Sequence, residues 1–222
     1  MLNLAVLVSG SGSNLQAMLD RKAQGLLDVD FRLVLSNKAD AYGLERARAA
    51  GVPALAIDHR QFPDREAFDA AMVAAIRDHG ADTVALAGFM RLLTPTFLNA
   101  FPGRVLNIHP ALLPSFPGAR GQRDAAAYGV TIAGCTVHLV DEQMDHGPII
   151  IQAAVPVPPG ADGEALAARI LTWEHRIYPQ ALQWLAQDRL RLDGRHVRIH
   201  GPAATPATPG DALVHPPLEP GF

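Results

Sequence analysis

Val105-Leu106-Asn107-Ile108-His109-Pro110-Ala111-Leu112-Leu113-Pro114 is the stretch from which the fold is read. Val105, Leu106 and Ile108 are apolar strand formers, and Asn107 and His109 fall two apart, so on a strand they point to the same side. Pro110 has no N–H to donate and ends the ladder. The strand therefore delivers a carboxamide and an imidazole to its carboxyl edge. In open α/β sheets ligands bind beyond that edge. An amide donor beside a titratable donor is the pairing a developing oxyanion needs. The same two side chains can also do no more than tie down the loop that follows.

Upstream, strands alternate with helices. Leu4–Val8 and Phe31–Leu35 are short apolar runs of the kind buried on both faces of a parallel sheet. Ala54–Ile57 and Thr83–Ala87 read as two more strands. Helices are expected from Leu15 to about Gly25, from about Tyr42 to Ala50, and over Arg65–His79, where Phe68, Met72 and Ile76 form an apolar stripe. A short helix starts at Thr94-Pro95. The alternation predicts an α/β fold, Rossmann-like, with a mostly parallel twisted sheet and helices on both faces.

Downstream, Thr131–Val140 is a strong strand that puts Thr136 and His138 on one face and Cys135, Val137 and Leu139 on the other. A polar loop, 141–147, joins it to a strand over Pro148–Val155, and so short a joint predicts an antiparallel pair. A helix follows from about Gly163 to Leu185, with Leu166, Ile170, Ile177, Leu182 and Leu185 inward and Pro179 expected to kink or restart it. Leu190–Leu192 and Val197–Ile199 read as a hairpin around Asp193-Gly194. Residues 1–200 read as one domain and 201–222 as a Pro-rich extended tail.

Composition narrows the function classes. Hydrophobic residues make up 49% and charged residues 18%, which is globular. A net charge of −3 and a pI near 6.3 give no case for nucleic-acid binding. One cysteine, Cys135, excludes an intramolecular disulfide and a cysteine zinc knuckle, and reads as an inert core thiol. Met1–Leu4 lacks the basic start of a signal peptide, and no apolar run has membrane length. The expectation is a cytoplasmic protein with no nucleic-acid or membrane partner.

Ser9-Gly10-Ser11-Gly12-Ser13-Asn14, between strand and helix, has the makings of an anion site, because backbone N–H groups and the helix dipole face the loop. Leu15 stands where a dinucleotide fingerprint needs its third glycine, and no Gly-Lys-Ser/Thr follows. A single phosphate is the fitting ligand, with Gly10 and Gly12 allowing close approach and Ser13 or Asn14 as cap. A plain tight turn is the alternative.

These segments together carry a resemblance. Ser9–Asn14, Ser36-Asn37-Lys38-Ala39-Asp40, Ala87-Gly88-Phe89-Met90-Arg91, Asn107–Pro114 and Val140–Pro148 resemble, in order and spacing from about Leu4 to Leu192, the phosphoribosylglycinamide formyltransferase family. The resemblance implies transfer of a formyl group from 10-formyltetrahydrofolate to the amine of a glycinamide ribonucleotide in purine synthesis. It implies no metal and no covalent enzyme intermediate. It assigns Asn107 as oxyanion donor and folate contact, His109 as general acid, and Asp145 as the carboxylate paired with it. A carboxylate beside an imidazole favours the charged ring. Gly12, Ser13 and Asn14 match the phosphate loop, and Leu171, Thr172, Trp173 and Glu174 a second nucleotide segment. Arg65, Met90, Arg91, Leu92, Leu93, Asp141, Glu142, Gln143 and Met144 match folate contacts, together with Asp145.

The chain departs from that pattern at Ala119-Arg120-Gly121-Gln122-Arg123, where a histidine-containing segment is expected, and at Asp145-His146-Gly147, where Asp-Gly-Gly is commoner. Arg120 or Arg123 can bring charge toward bound phosphate, and His146 can stiffen its loop. Leu113-Pro114 fits a cis bond in a sharp turn. Rival readings remain within formyl-folate enzymes. A methionyl-tRNA formyltransferase is expected to add a carboxyl-terminal domain and a basic RNA surface. A formyltetrahydrofolate hydrolase is expected to add an amino-terminal regulatory domain. Outside that group stand a non-catalytic nucleotide-binding module, a dehydrogenase, and a metal hydrolase using His109, His138 and Asp145, for which no ligand spacing speaks.

Overall fold

The computed structural model describes residues 1–201 and 211–222. The chain divides into two compact units, where the sequence reads as one domain over 1–200. The first holds Met1–Asn107 with Val140–Glu142, and the second holds Ile108–Leu139 with Gln143–Phe222.

The first unit is the alternating half: β1 (Leu2–Val8), α1 (Ser13–Ala23), β2 (Val29–Ser36), α2 (Tyr42–Ala49), β3 (Ala54–Ala56), α3 (Arg65–Asp78), β4 (Thr83–Leu86), α4 (Pro95–Leu98) and β5 (Val105–His109). The chain passes into the second unit within β5. Pairing is parallel throughout, in the order β5-β4-β1-β2-β3. The α3 stripe is as expected: Phe68, Met72 and Ile76 pack with Leu7, Leu33, Leu35, Val84, Leu86 and Phe97 in one buried cluster. Burying each such large side chain stabilises the fold by about 1.5–3 kcal/mol. Asp64 caps α3 by accepting from the Ala67 N–H at 2.8 Å.

The second unit contains α5 (Gly121–Tyr128), β6 (Ile132–Leu139), β7 (Ile149–Pro156), α6 (Gly163–Ala186), β8 (Leu190–Asp193), β9 (His196–Ile199) and β10 (Leu213–His215). β6 and β7 are antiparallel, as their short joint requires, and β8–β9 is the expected hairpin. α6 runs unbroken through Pro179, so no restart occurs. Residues 177–182 are all buried, and tertiary packing holds the helix across the missing N–H. Trp184 is inward where Leu185 was expected, and Leu185 is half-buried.

Two elements differ from the sequence reading. Residues 121–128, to which the sequence reading assigns no element, form α5; the alanines of Gln122–Tyr128 are the helical signal. Of the tail over 201–222, residues 202–210 lie outside the described residues, and the remainder is not a free tail. β10 adds antiparallel to β7, and Leu218 and Phe222 are buried. Glu219 accepts from Trp184 Nε1 at 2.9 Å and Arg189 Nη1 at 2.7 Å, while its own N–H donates to Gln180 Oε1 at 2.8 Å. Arg176 donates to the Phe222 carbonyl. These contacts join residues thirty or more apart, which no local pattern reveals. Glu219→Ala removes the acceptor from two part-buried donors, and is expected to cost about 1–3 kcal/mol. Thermal unfolding should show a Tm lower by about 3–10 °C.

Candidate active site

In the first unit the Ser9–Asn14 loop is fixed from beneath by α2. The Gly10 carbonyl accepts from the Gly43 N–H at 3.0 Å, and the Ser11 carbonyl from Arg46 Nε at 2.8 Å. Gly12 occupies the cap position of α1 with φ 68° and no side-chain cap bond. The expected Ser13 or Asn14 cap is therefore absent, because the helix already starts at Ser13. A Cβ on Gly12 would sit 2.7 Å from Gly43 Cα, so this glycine answers to a neighbouring helix. The first N–H groups of an α-helix lack intrahelical partners by geometry, and Gly12 at the cap has no side chain to take them, which suits an anion.

Ser9 also organises the neighbouring strand ends. Its hydroxyl donates to Asn37 Oδ1 at 2.6 Å and accepts from the Met90 N–H at 2.9 Å. The expected folate segment thus begins on the residue that opens the phosphate loop. Met90 and Leu92 are exposed apolar side chains, while Arg91 and Leu93 are half-buried. The segment ends at Thr94, whose N–H donates to the buried Asp69 at 2.6 Å. Burial raises the Asp69 carboxyl above its usual range, against the Thr94 hydrogen bonds and the Arg65 charge. Arg65 itself is exposed at the start of α3. Asp141 is half-buried and Glu142 exposed. Ser9, Asn37, Arg46 and Asp69 were not singled out from sequence as individual contributors. Their partners lie 25 or more residues away.

Asn107 is half-buried on β5, two residues before His109. In the second unit His109 is buried, at 3% exposure. Its Nδ1 lies 3.4 Å from Asp145 Oδ2, and its Nε2 lies 2.9 Å from the Phe116 carbonyl oxygen. Both ring nitrogens thus face oxygen atoms, one of a carbonyl and one of a carboxylate. Asp145 Oδ2 also accepts from the Gly118 N–H at 2.7 Å, and its Oδ1 lies 3.8 Å from His138 Nε2. His138 is buried and reaches Asp145 from β6, at the point where the β6–β7 register shifts. Asp145 and Phe116 both hold left-handed backbone, φ 50° and 52°.

The loop between His109 and Gly118 is pinned by side chains. Thr136 Oγ1 donates to the Ala111 carbonyl at 2.7 Å and accepts from the Leu113 N–H at 3.1 Å. Gln152 Nε2 donates to the Leu113 carbonyl at 3.0 Å, and the Leu113–Pro114 bond is cis, as the turn suggested. Gln152 gave no signal in sequence. Of the predicted nucleotide segment on α6, Glu174 and Trp173 are buried, Leu171 half-buried and Thr172 exposed. Trp173 carries the Arg176 guanidinium 4.6 Å from its ring centroid. Burial, with the Glu174 charge second, pushes the Cys135 thiol well up, which keeps it inert. Gln143 and Met144 are exposed. Arg120 lies 4.0 Å from Asp124. Arg123 packs on Gly163.

His109, His138 and Asp145 do come together, yet among the described residues no group of three or more such side chains could hold a metal ion. No helix among them is long and apolar enough to cross a membrane.

Comparison with known proteins places the chain in a family. The formyl transferase family model matches residues 2–182. Phosphoribosylglycinamide formyltransferase of Escherichia coli K12 is 44% identical over 210 residues, covering 91% of this chain and 99% of that protein. The trifunctional purine biosynthetic protein adenosine-3 of Drosophila pseudoobscura is 49% identical over 191 residues, 85% of this chain, which spans only 14% of that protein's length. The crystal structure of glycinamide ribonucleotide transformylase 1 from Symbiobacterium toebii superposes with a TM-score of 0.88 at 54% identity, over 90% of this chain and 94% of that one.

Proposed function

The chain belongs to the formyl transferase family, and on that premise we propose that Asn107, His109 and Asp145 carry formyl transfer from 10-formyltetrahydrofolate to the amine of glycinamide ribonucleotide. The reaction itself, phosphoribosylglycinamide formylation in purine biosynthesis, is that of its relatives. The amine nitrogen attacks the formyl carbon, and the carbonyl oxygen gathers negative charge. The Asn107 carboxamide and the His109 ring donate to that oxygen. The tetrahedral species then releases the folate nitrogen, which takes a proton from His109 as it leaves, and the proton that the attacking amine gives up returns through water beside Asp145 to the ring. Asp145 holds the ring and its charge. No step needs a metal or a bond to the enzyme.

The observation that carries this reading is the buried His109–Asp145 contact at 3.4 Å, with Asp145 clasped by the Gly118 N–H at 2.7 Å. The Phe116 carbonyl now fills the outward hydrogen-bonding direction of His109 Nε2. In the reacting complex the formyl oxygen takes that place.

For the nucleotide, Gly12, Ser13 and Asn14 bind the phosphate, and Leu171–Glu174 contact the sugar and glycinamide end, with Glu174 as acceptor. For the folate, exposed Met90 and Leu92 offer apolar surface to the pterin, Arg65 meets the acidic tail, and Asp141–Asp145 contact the ring. The protein acts in the cytoplasm on small molecules, as a monomer or homodimer, without nucleic acid or membrane.

The test is formyl transfer to glycinamide ribonucleotide, followed by the absorbance of deformylated folate, with water alone and formate as controls. Nucleotide-dependent release of deformylated folate is expected. Equal release with water alone would make the chain a hydrolase. Asn14→Ala and Ser13→Ala are expected to raise the nucleotide KM about ten-fold while leaving the folate KM in place, the scale of one or two lost hydrogen bonds to an anion. Steady-state kinetics with each substrate varied separates the two.

A further inference from the structure

We propose that Arg195 is a positioning residue for the loop that carries Asp145, an inference that rests on the catalytic role given to Asp145 above. Asp145 sits at a left-handed φ of 50°, and the chain must be held on its far side to keep it there. The next residue is the one that departs from the common pattern, His146. Its carbonyl accepts from Arg195 Nη2 at 2.6 Å, and its ring Nε2 lies 3.1 Å from Arg195 Nη1. One planar guanidinium thus meets both the main chain and the side chain of a single residue, a grip that a point-charge ammonium cannot reproduce.

Arg195 reaches this loop across 49 residues, from the tip of the β8–β9 hairpin. Gly194, at φ 59°, makes the turn that presents it. The hairpin is a firm base. His200 N–H donates to the Arg189 carbonyl at 2.8 Å, Arg189 Nε returns a bond to the His200 carbonyl at 2.7 Å, and Arg198 pairs with Asp193 at 2.8 Å. Among the described residues, the hydrogen bonds of Arg195 all go to His146. With no carboxylate among the described residues claiming the guanidinium, its charge-assisted bonds go to the loop. At His146 this chain couples a side chain in the loop to a side chain on the hairpin.

The experiment compares Arg195→Ala with the wild-type full chain. The expected result is a folate KM raised about five-fold, the worth of one or two solvent-facing hydrogen bonds, with the nucleotide KM unchanged and kcat within about two-fold. Amide hydrogen exchange at residues 143–147 should quicken in the absence of any substrate, with Tm held within about 2 °C. Arg195→Lys should fall between the two proteins. Unchanged folate KM and unchanged exchange overturn the proposal. So does an equal rise in both KM values with a lowered Tm, which is general damage. Arg195→Lys matching wild type also overturns it, since charge alone would then suffice. The exchange measurement uses no substrate, so it fails or succeeds apart from the wild-type formyl-transfer assay.

Discussion

Asp145→Asn is expected to lower turnover about 100-fold or more, and His109→Ala to do the same, while folding and nucleotide affinity stay close to wild type. Asparagine keeps the shape of the side chain, and its carbonyl oxygen can still accept from the Gly118 N–H that now meets Asp145 Oδ2 at 2.7 Å. What disappears is the negative charge 3.4 Å from His109 Nδ1 and 3.8 Å from His138 Nε2. The ring can then flip its tautomer, and its charged form loses its counterion in a site where His109 is 3% exposed. His109→Ala removes the donor itself. Steady-state turnover, with nucleotide affinity measured by titration, checks both variants. Full activity in either one would remove the mechanism.

Gly12→Ala is the second large effect, and it acts on the fold. The residue holds φ 68°, where an L side chain costs about 1–2 kcal/mol. The added methyl would stand 2.7 Å from Gly43 Cα, a main-chain atom of α2 that cannot rotate away, and forced repacking costs about a further 1–3 kcal/mol. The loss should fall at about 2–5 kcal/mol and appear as a lowered midpoint in chemical denaturation. Gly10→Ala is the contrasting case, since nothing lies within 4 Å of a Cβ there. It should unfold within about 0.5 kcal/mol of wild type. If the two variants unfolded alike, the packing account of the loop would be wrong.

The local features were legible in sequence where a short period fixes them. Val105–His109 reads as a strand because apolar and polar residues alternate toward a proline, and it is one. The α3 stripe and the β8–β9 hairpin follow from spacing and from Asp193-Gly194 in the same way. What local pattern could not show is long-range pairing. Gly12 reads as a ligand-facing glycine, yet its tightest neighbour is Gly43. The last residues read as a Pro-rich tail, yet Leu213–His215 finds an edge strand and Glu219 finds Trp184 and Arg189. Gln152 looks like any strand residue until the Leu113 carbonyl is placed beside it. For Asp145, the segment resemblance named a partner that an isolated loop aspartate would not have suggested. The phosphate and folate assignments are residue-by-residue proposals, and the Ser13 and Asn14 variants address the first of them directly.

The sharpest single measurement is the turnover of the double variant His109→Ala/Asp145→Asn beside its two parents. If the carboxylate acts through the imidazole, removing it from an enzyme that has already lost the ring costs little, and the double variant turns over within about three-fold of His109→Ala. Losses that multiply to about 10,000-fold would mean that Asp145 and His109 work independently, and the pairing at the centre of this account would be contradicted.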